Sequence, residues 1–267
     1  MSEVFTLADK RLRRVLKRNG RGGGHSPDGQ SALRNALAVS LVASALVPNP
    51  THAQSYQCRM PQNVSVPKVS TDQRERRMPI TGYTMALSWS PEFCKPREGQ
   101  RAHVTQCSGK NGRFGLVVHG LWPNGRGNTW PQYCRTPYSL SAPELRRNMC
   151  MMPSARLIAH QWVKHGSCMD RPPATYFKVT RILWEGLRIP DYDRLSRKDD
   201  LTAGDIRGAL ADANEGWERE HIGVKLNSRG WLQELRLCYT KRFRSTPCNS
   251  NRFGAADGDT AKIWRGM

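Results

Sequence analysis

Two short segments concentrate the side chains of this chain that can move protons. They are His119-Gly120-Leu121-Trp122-Pro123-Asn124 and His160-Gln161-Trp162-Val163-Lys164-His165-Gly166-Ser167-Cys168. On a helix, His160, Gln161, Lys164 and His165 fall at i, i+1, i+4 and i+5, which places all four on one face while Trp162 points away. His119 follows Leu116-Val117-Val118, an unbroken apolar run that reads as a strand buried on both faces, and it stands just before a glycine expected to turn the chain. A rigid strand end and a helix face can hold two imidazoles against one substrate. Histidine titrates near pH 6.5 and serves as base or acid close to neutrality, while lysine adds a lasting positive charge. Metal-free cleavage of RNA asks for such a set. One group takes the 2′-hydroxyl proton, another protonates the departing 5′-oxygen, and a cation meets the charge growing on phosphorus.

Other readings use the same residues. A lone histidine is more often structural than catalytic, and a Trp-rich helix is more often core. A zinc site is the sharper rival. However, His160 and His165 are five apart instead of the four of H-E-x-x-H, no Glu lies between them, and Lys164 would repel a cation. A serine nucleophile is weaker, because no G-x-S-x-G occurs and Ser167 lies beside Gly166 and Cys168 without a matched Asp. No metal and no cofactor are therefore expected.

The elements that must position these groups are legible in outline. Thr84 to Trp89 reads as a short strand, and Arg113 to Trp122 contains the buried run of a second, ending at His119. A helix capped by Ser154 runs through Leu157, Ile158 and Trp162 toward Gly166. Tyr176, Thr180, Leu183 and Leu187 keep helical spacing up to Pro190, and Thr202-x-x-Asp205 opens a further helix containing Ile206, Ala209 and Leu210. Trp231 to Tyr239 is a late strand with Leu235, Leu237 and Tyr239 on one side and Glu234, Arg236 and Cys238 on the other. The chain beyond Asn249 carries no readable signal. Strands and helices alternate without a βαβ rhythm or an internal repeat. The pattern predicts an α+β fold, a single disulfide-stabilised domain with a central, mostly antiparallel sheet packed by helices.

The 267 residues are 38% hydrophobic, enough for one large core. The first 33 carry a basic stretch and a Gly/Ser-rich stretch with no apolar periodicity, and read as unstructured. Residues 36–47 form a short apolar run behind Arg34, followed by Pro48, Pro50 and the small residues around Thr51-His52-Ala53. That is the pattern of a secretory signal peptide, too short to span a bilayer. The stretch ahead of it is longer than signal peptides ordinarily carry. The expected division is a leader over 1–53 and a functional domain over 54–267, exported to a periplasm or the cell exterior, with no stable membrane insertion once the leader is cut. All eight cysteines lie beyond it, an even set that reads as disulfides, and none forms a C-x-x-C pair with zinc spacing. The expected mature chain keeps 34 Lys/Arg against 19 Asp/Glu, a formal charge of +15. Such a charge favours polyanions and by itself names none of them.

Together with Leu87-Ser88-Trp89-Ser90-Pro91-Glu92-Phe93-Cys94, the two histidine segments resemble the ribonuclease T2 family of secreted acid ribonucleases. The resemblance runs from about Thr84 through Cys168 and continues more loosely to Leu235-Arg236-Leu237-Cys238-Tyr239. It implies an endoribonuclease acting on single-stranded RNA through a 2′,3′-cyclic phosphate that is then opened to a 3′-phosphate. His165 would be the base and His119 the acid of the first step, with His160 and Lys164 on the phosphate. It implies stacking of a base on Trp122, with Asn124 and Trp130 as partners in that pocket. It also implies pairing of Cys134 with Cys168 and, more loosely, Cys94 with Cys107 and Cys238 with Cys248, which leaves Cys58 and Cys150. Gln161 departs from the family, which usually has Glu there. An amide carries no charge and takes no proton. If that Glu raises neighbouring histidine pKa values, its loss is expected to lower the rate and move the optimum toward less acidic pH. The expected partner is RNA, bound by a monomer. Two alternatives stay open: a secreted, basic RNA-binding or cytotoxic protein impaired in catalysis by Gln161, and a disulfide-rich structural or membrane-surface protein whose histidines merely face solvent.

Overall fold

The structure is a computed structural model that describes residues 55–70 and 73–266. The expected leader, 1–53 with its apolar segment at 36–47, lies outside the described residues. Among the described residues the strands are β1 (Ser55–Tyr56), β2 (Gly82–Trp89), β3 (Arg113–Phe114), β4 (Leu116–Asn124), β5 (Ile222–Leu226) and β6 (Leu232–Thr240). The helices are α1 (Ser90–Cys94), α2 (Val104–Cys107), α3 (Ala142–Arg147), α4 (Ala155–Lys164), α5 (Pro173–Glu185), α6 (Tyr192–Leu195), α7 (Ala203–Ala213) and α8 (Ser250–Phe253). The four long strands form one antiparallel sheet in the order β4-β2-β6-β5, with β1 and β3 as a separate small ladder. The fold is α+β, with helices packed on the sheet.

The central strand β2 is buried along nearly its whole length, with Met85, Ala86 and Leu87 fully covered. Leu116, Val117 and Val118 of β4 are buried as the apolar run predicts. Ile158 and Trp162 of α4, Tyr176 and Phe177 of α5, and Ile206 and Leu210 of α7 complete the core around the sheet. Each fully covered Leu or Phe contributes about 1.5–3 kcal/mol by leaving water. Ser154 caps α4 by accepting from Leu157 N at 3.2 Å, and Thr202 and Asp205 cap α7 reciprocally. The segment Arg113 to Trp122 is divided at Gly115, so Arg113 and Phe114 pair with β1 while Leu116 onward joins the main sheet.

Four disulfides join Cys58–Cys150, Cys94–Cys107, Cys134–Cys168 and Cys238–Cys248. The chain beyond Asn249, silent in sequence, is an integral part of the fold. Arg207 of α7, fully buried, donates to the carbonyls of Ile222 and Phe253 at 2.8 Å and pairs with Asp257 at 2.6 Å. Further along, Trp89 Nε1 donates to the carbonyl of Trp264 at 2.7 Å. A guanidinium with its partners in fixed places satisfies backbone groups that would otherwise be buried unpaired.

Candidate active site

His119 sits at an irregularity in β4. Across β2, Ala86 pairs with Gly120 and Leu87 with Val118, so His119 is the extra residue of a β-bulge. The sequence reading placed a turn at Gly120. The strand instead runs on to Asn124, and the bulge supplies what the turn was expected to supply, a re-aimed side chain beside a cleft. The His119 Nδ1 lies 2.8 Å from Glu234 Oε2 of β6. The other carboxylate oxygen accepts from Arg236 Nε at 2.9 Å. Burial works against the charge on Glu234, but the hydrogen bonds from His119 and Arg236 outweigh it and hold the carboxyl below its ordinary range.

Helix α4 and the residue after it bring in the second set. Gln161 and Trp162 are buried, while His160 and Lys164 are half-buried. His165 caps the helix C-terminus and does not continue it, donating its backbone N–H to the Gln161 carbonyl. The expected four-residue stripe is therefore split. His160 and Lys164 face the cleft side near Tyr133, whose ring lies 6.5 Å from the His160 ring and 5.8 Å from Lys164 Nζ. Gln161 turns inward and accepts from Trp122 Nε1 at 2.8 Å. A methyl at Gly120 would overlap Gln161 Oε1 and Trp122 Nε1, so glycine at the bulge is what lets this bond form.

The Trp122 ring stands between the two histidines, 5.2 Å from His119 edge-on and 5.8 Å from His165. Their surroundings differ. His165 is 7% exposed, its Nδ1 has no hydrogen-bond partner among the described residues, and burial, then Lys164, His160 and His119, press its pKa well below the ordinary histidine value. Removing a carboxylate from beside a histidine lowers the histidine's pKa, and here no carboxylate from α4 offsets the cations. On this rule the premise behind the Gln161 expectation, a carboxylate that raises histidine pKa values, implies a lower histidine pKa without it, opposite in sign to the shift expected above.

Two cavities open on this group. One of about 430 Å³ is lined by Trp122, Asn124, Trp130, Lys164, His165 and Arg252, among others. Asn124 exchanges hydrogen bonds with the Thr84 hydroxyl at 3.1–3.2 Å. Trp130 donates to Gln132 at 3.0 Å under the Arg76 guanidinium. The other, of about 650 Å³, is lined by His119, His160, Ser154, Arg156, Glu92 and Glu234, among others. Every candidate singled out in the sequence thus borders this region or, for Gln161, braces it. The sequence reading missed Glu234, Arg236 and Arg252. The alternation of β6 put Glu234 and Arg236 on one face, but nothing local said that this face meets His119. The Disulfide Cys134–Cys168 ties the loop of Tyr133 to the turn just after His165. A possible cation cluster among the described residues, Glu218, Glu220 and His221, lies outside both cavities.

The profile of the Ribonuclease T2 family matches residues 81–248, and the chain belongs to that family. A Haemophilus influenzae protein named "Probable ribonuclease" is 32% identical over 187 residues, covering 65% of this chain and 63% of that relative. An Aeromonas hydrophila "Ribonuclease" is 40% identical over 164 residues, 60% of this chain and 71% of the relative. The chain thus spans just under two thirds of the Haemophilus relative's length. Among solved structures, the RNase-related protein from Calystegia sepium superposes with a TM-score of 0.55 at 20% identity, over 68% of this chain and 96% of that one. That likeness shows a shared fold.

Proposed function

We propose that this protein is an endoribonuclease that cleaves single-stranded RNA without metal, through a 2′,3′-cyclic phosphate. One observation carries the reading. His119 and His165 flank Trp122 in opposite environments, one hydrogen-bonded to a buried carboxylate, the other buried beside cations. Groups whose surroundings diverge in this way suit the two halves of acid–base catalysis.

In the proposed reaction His165, held neutral, takes the proton of the 2′-hydroxyl as its oxygen attacks phosphorus. His119 gives its proton to the 5′-oxygen as the P–O bond breaks. Lys164 and His160 meet the charge on the phosphate. Hydrolysis of the cyclic product reverses the roles: His119 takes a proton from water and His165 returns one to the 2′-oxygen. A base of the substrate stacks on Trp122, in the cavity with Asn124 and Trp130, a contact that tolerates any base. Gln161 serves this pocket by fixing the Trp122 indole, a role that does not favour the impaired-enzyme reading. Export to a periplasm or the cell exterior, with cleavage of residues 1–53 from a domain over 54–267, is part of the proposal. Four disulfides and no free cysteine among the described residues support an oxidising compartment, and no helix of the described residues is long and apolar enough to cross a membrane. The proposed active form is a monomer without cofactor.

Incubating the oxidised protein with a short defined RNA, with and without EDTA, tests the reading. Equal cleavage in both, with cyclic-phosphate ends by mass that convert to 3′-phosphates, is the expected result. Intact RNA across pH 4 to 8, or cleavage abolished by EDTA, would overturn it.

A further inference from the structure

Glu234 belongs to neither histidine segment and comes to the site from a strand two places away. In the sheet β6 lies beside β2, and β2 beside β4. Adjacent strands are about 4.8 Å apart, so a β6 carboxylate reaches a β4 imidazole only over a small residue on the strand between. That residue is Ser88, which pairs with Glu234 on one side and with Val117 on the other and lines the same cavity as His119 and Glu234. The bulge at His119 closes the remaining distance. Glu234 is 5% exposed. Its two oxygens go to two side chains, Oε2 to His119 and Oε1 to Arg236. Burying a carboxylate is costly, and an apolar residue would fill this place in the sheet without that cost.

We propose that Glu234, held by Arg236, is a positioning residue for the acid step. A carboxylate on Nδ1 fixes the tautomer with Nδ1–H and leaves Nε2 as the nitrogen that carries the transferable proton. As the P–O5′ bond breaks, its electron pair stays on O5′, the proton moves there from Nε2, and His119 is left neutral with Nδ1–H still on Glu234. The charged and titratable groups around His119 are Glu234 and Arg236 of β6, Glu92 of α1, Lys225 of β5, Arg156 and His160 of α4, with Lys164, His165, Arg97 and His103 nearby. Among these Glu234 is the carboxylate in hydrogen-bond contact with His119.

The proposal rests on His119 being the acid, and the test separates the two. Wild type, Glu234→Gln and His119→Ala are compared on a dinucleoside phosphate and on a nucleoside 3′-(4-nitrophenyl) phosphate, whose leaving group departs without a proton. For Glu234→Gln, kcat/KM on the dinucleotide is expected to fall about tenfold to a hundredfold, part of what acid catalysis contributes. The nitrophenyl ester is expected to be cleaved at nearly the wild-type rate. Equal losses on both substrates would reduce Glu234 to a structural part, and no loss on either would remove it from the reaction. If His119→Ala loses both substrates equally, the acid assignment itself fails. If His119→Ala spares the ester while Glu234→Gln changes nothing, only the role of Glu234 fails. Should Glu234→Gln not fold, nitrogen NMR of wild type decides: neutral His119 is expected as the Nδ1–H tautomer, and a dominant Nε2–H tautomer would overturn the proposal.

Discussion

His165 is a histidine that burial and cationic neighbours keep neutral, and this sets the pH behaviour of the proposed reaction. A base acts in its unprotonated form, so a pKa held down keeps it available as pH falls. The acid limb of kcat/KM, which reports the free protein, is expected below the ordinary histidine value of about 6.5. A pH profile on a dinucleotide checks it, and a limb at or above that value would contradict the assignment. Gln161→Glu puts a carboxylate one turn before His165 while still offering Trp122 Nε1 an acceptor. The same limb is expected to move to higher pH in that variant, because a negative charge favours the imidazolium. An unmoved limb would mean that position 161 acts only through Trp122. At this scale the sequence said a great deal: His119, His160, Lys164, His165 and Trp122 carry their chemistry in their side-chain types and spacing. It was silent about Glu234, whose partner is 115 residues away.

At the scale of elements, the site depends on how β4 and α4 meet. Gly120 is the place of closest approach, where the bulge, Gln161 and the Trp122 indole share one small volume. Gly120→Ala is expected to destabilise the fold by about 1–3 kcal/mol, the range for overfilling a packed site, and to weaken substrate binding by displacing Trp122. Urea unfolding together with KM on a dinucleotide measures both, and an alanine variant as stable and as active as wild type would remove the steric argument. The caps at Ser154 and Thr202 were readable because capping is local chemistry. The continuation of β4 past Gly120 was not. A glycine in a strand reads as a turn unless the partner strand is known, and the pairing of β4 with β2 joins segments more than 25 residues apart in sequence. The same reason hid the docking of the chain beyond Asn249, whose anchor is Arg207 of α7.

For the molecule as a whole, the disulfides and the charge point the same way. A surplus of 15 positive charges on the expected mature chain favours a polyanion, and in the proposed reading Trp122, Trp130, Arg236 and Arg252 around one cavity offer rings for its bases and cations for its phosphates. The Cys134–Cys168 bond closes a loop of 34 residues between the Tyr133 segment and the end of α4. Replacing both cysteines by alanine is expected to reduce stability by about 3 to 4 kcal/mol on the chain-entropy account, and to lower activity because Tyr133 and His165 lose a shared tether. Calorimetry and dinucleotide cleavage read the two effects, and an unchanged melting temperature would show that packing alone holds them. The central claim is the division of labour between two histidines, and it is met most directly by the products formed from a short defined RNA by wild type, His119→Ala and His165→Ala. Wild type is predicted to release cyclic-phosphate ends, and each variant to form them about 10²- to 10⁴-fold more slowly while staying folded. Cyclic-phosphate formation at the wild-type rate in either folded variant would contradict the account.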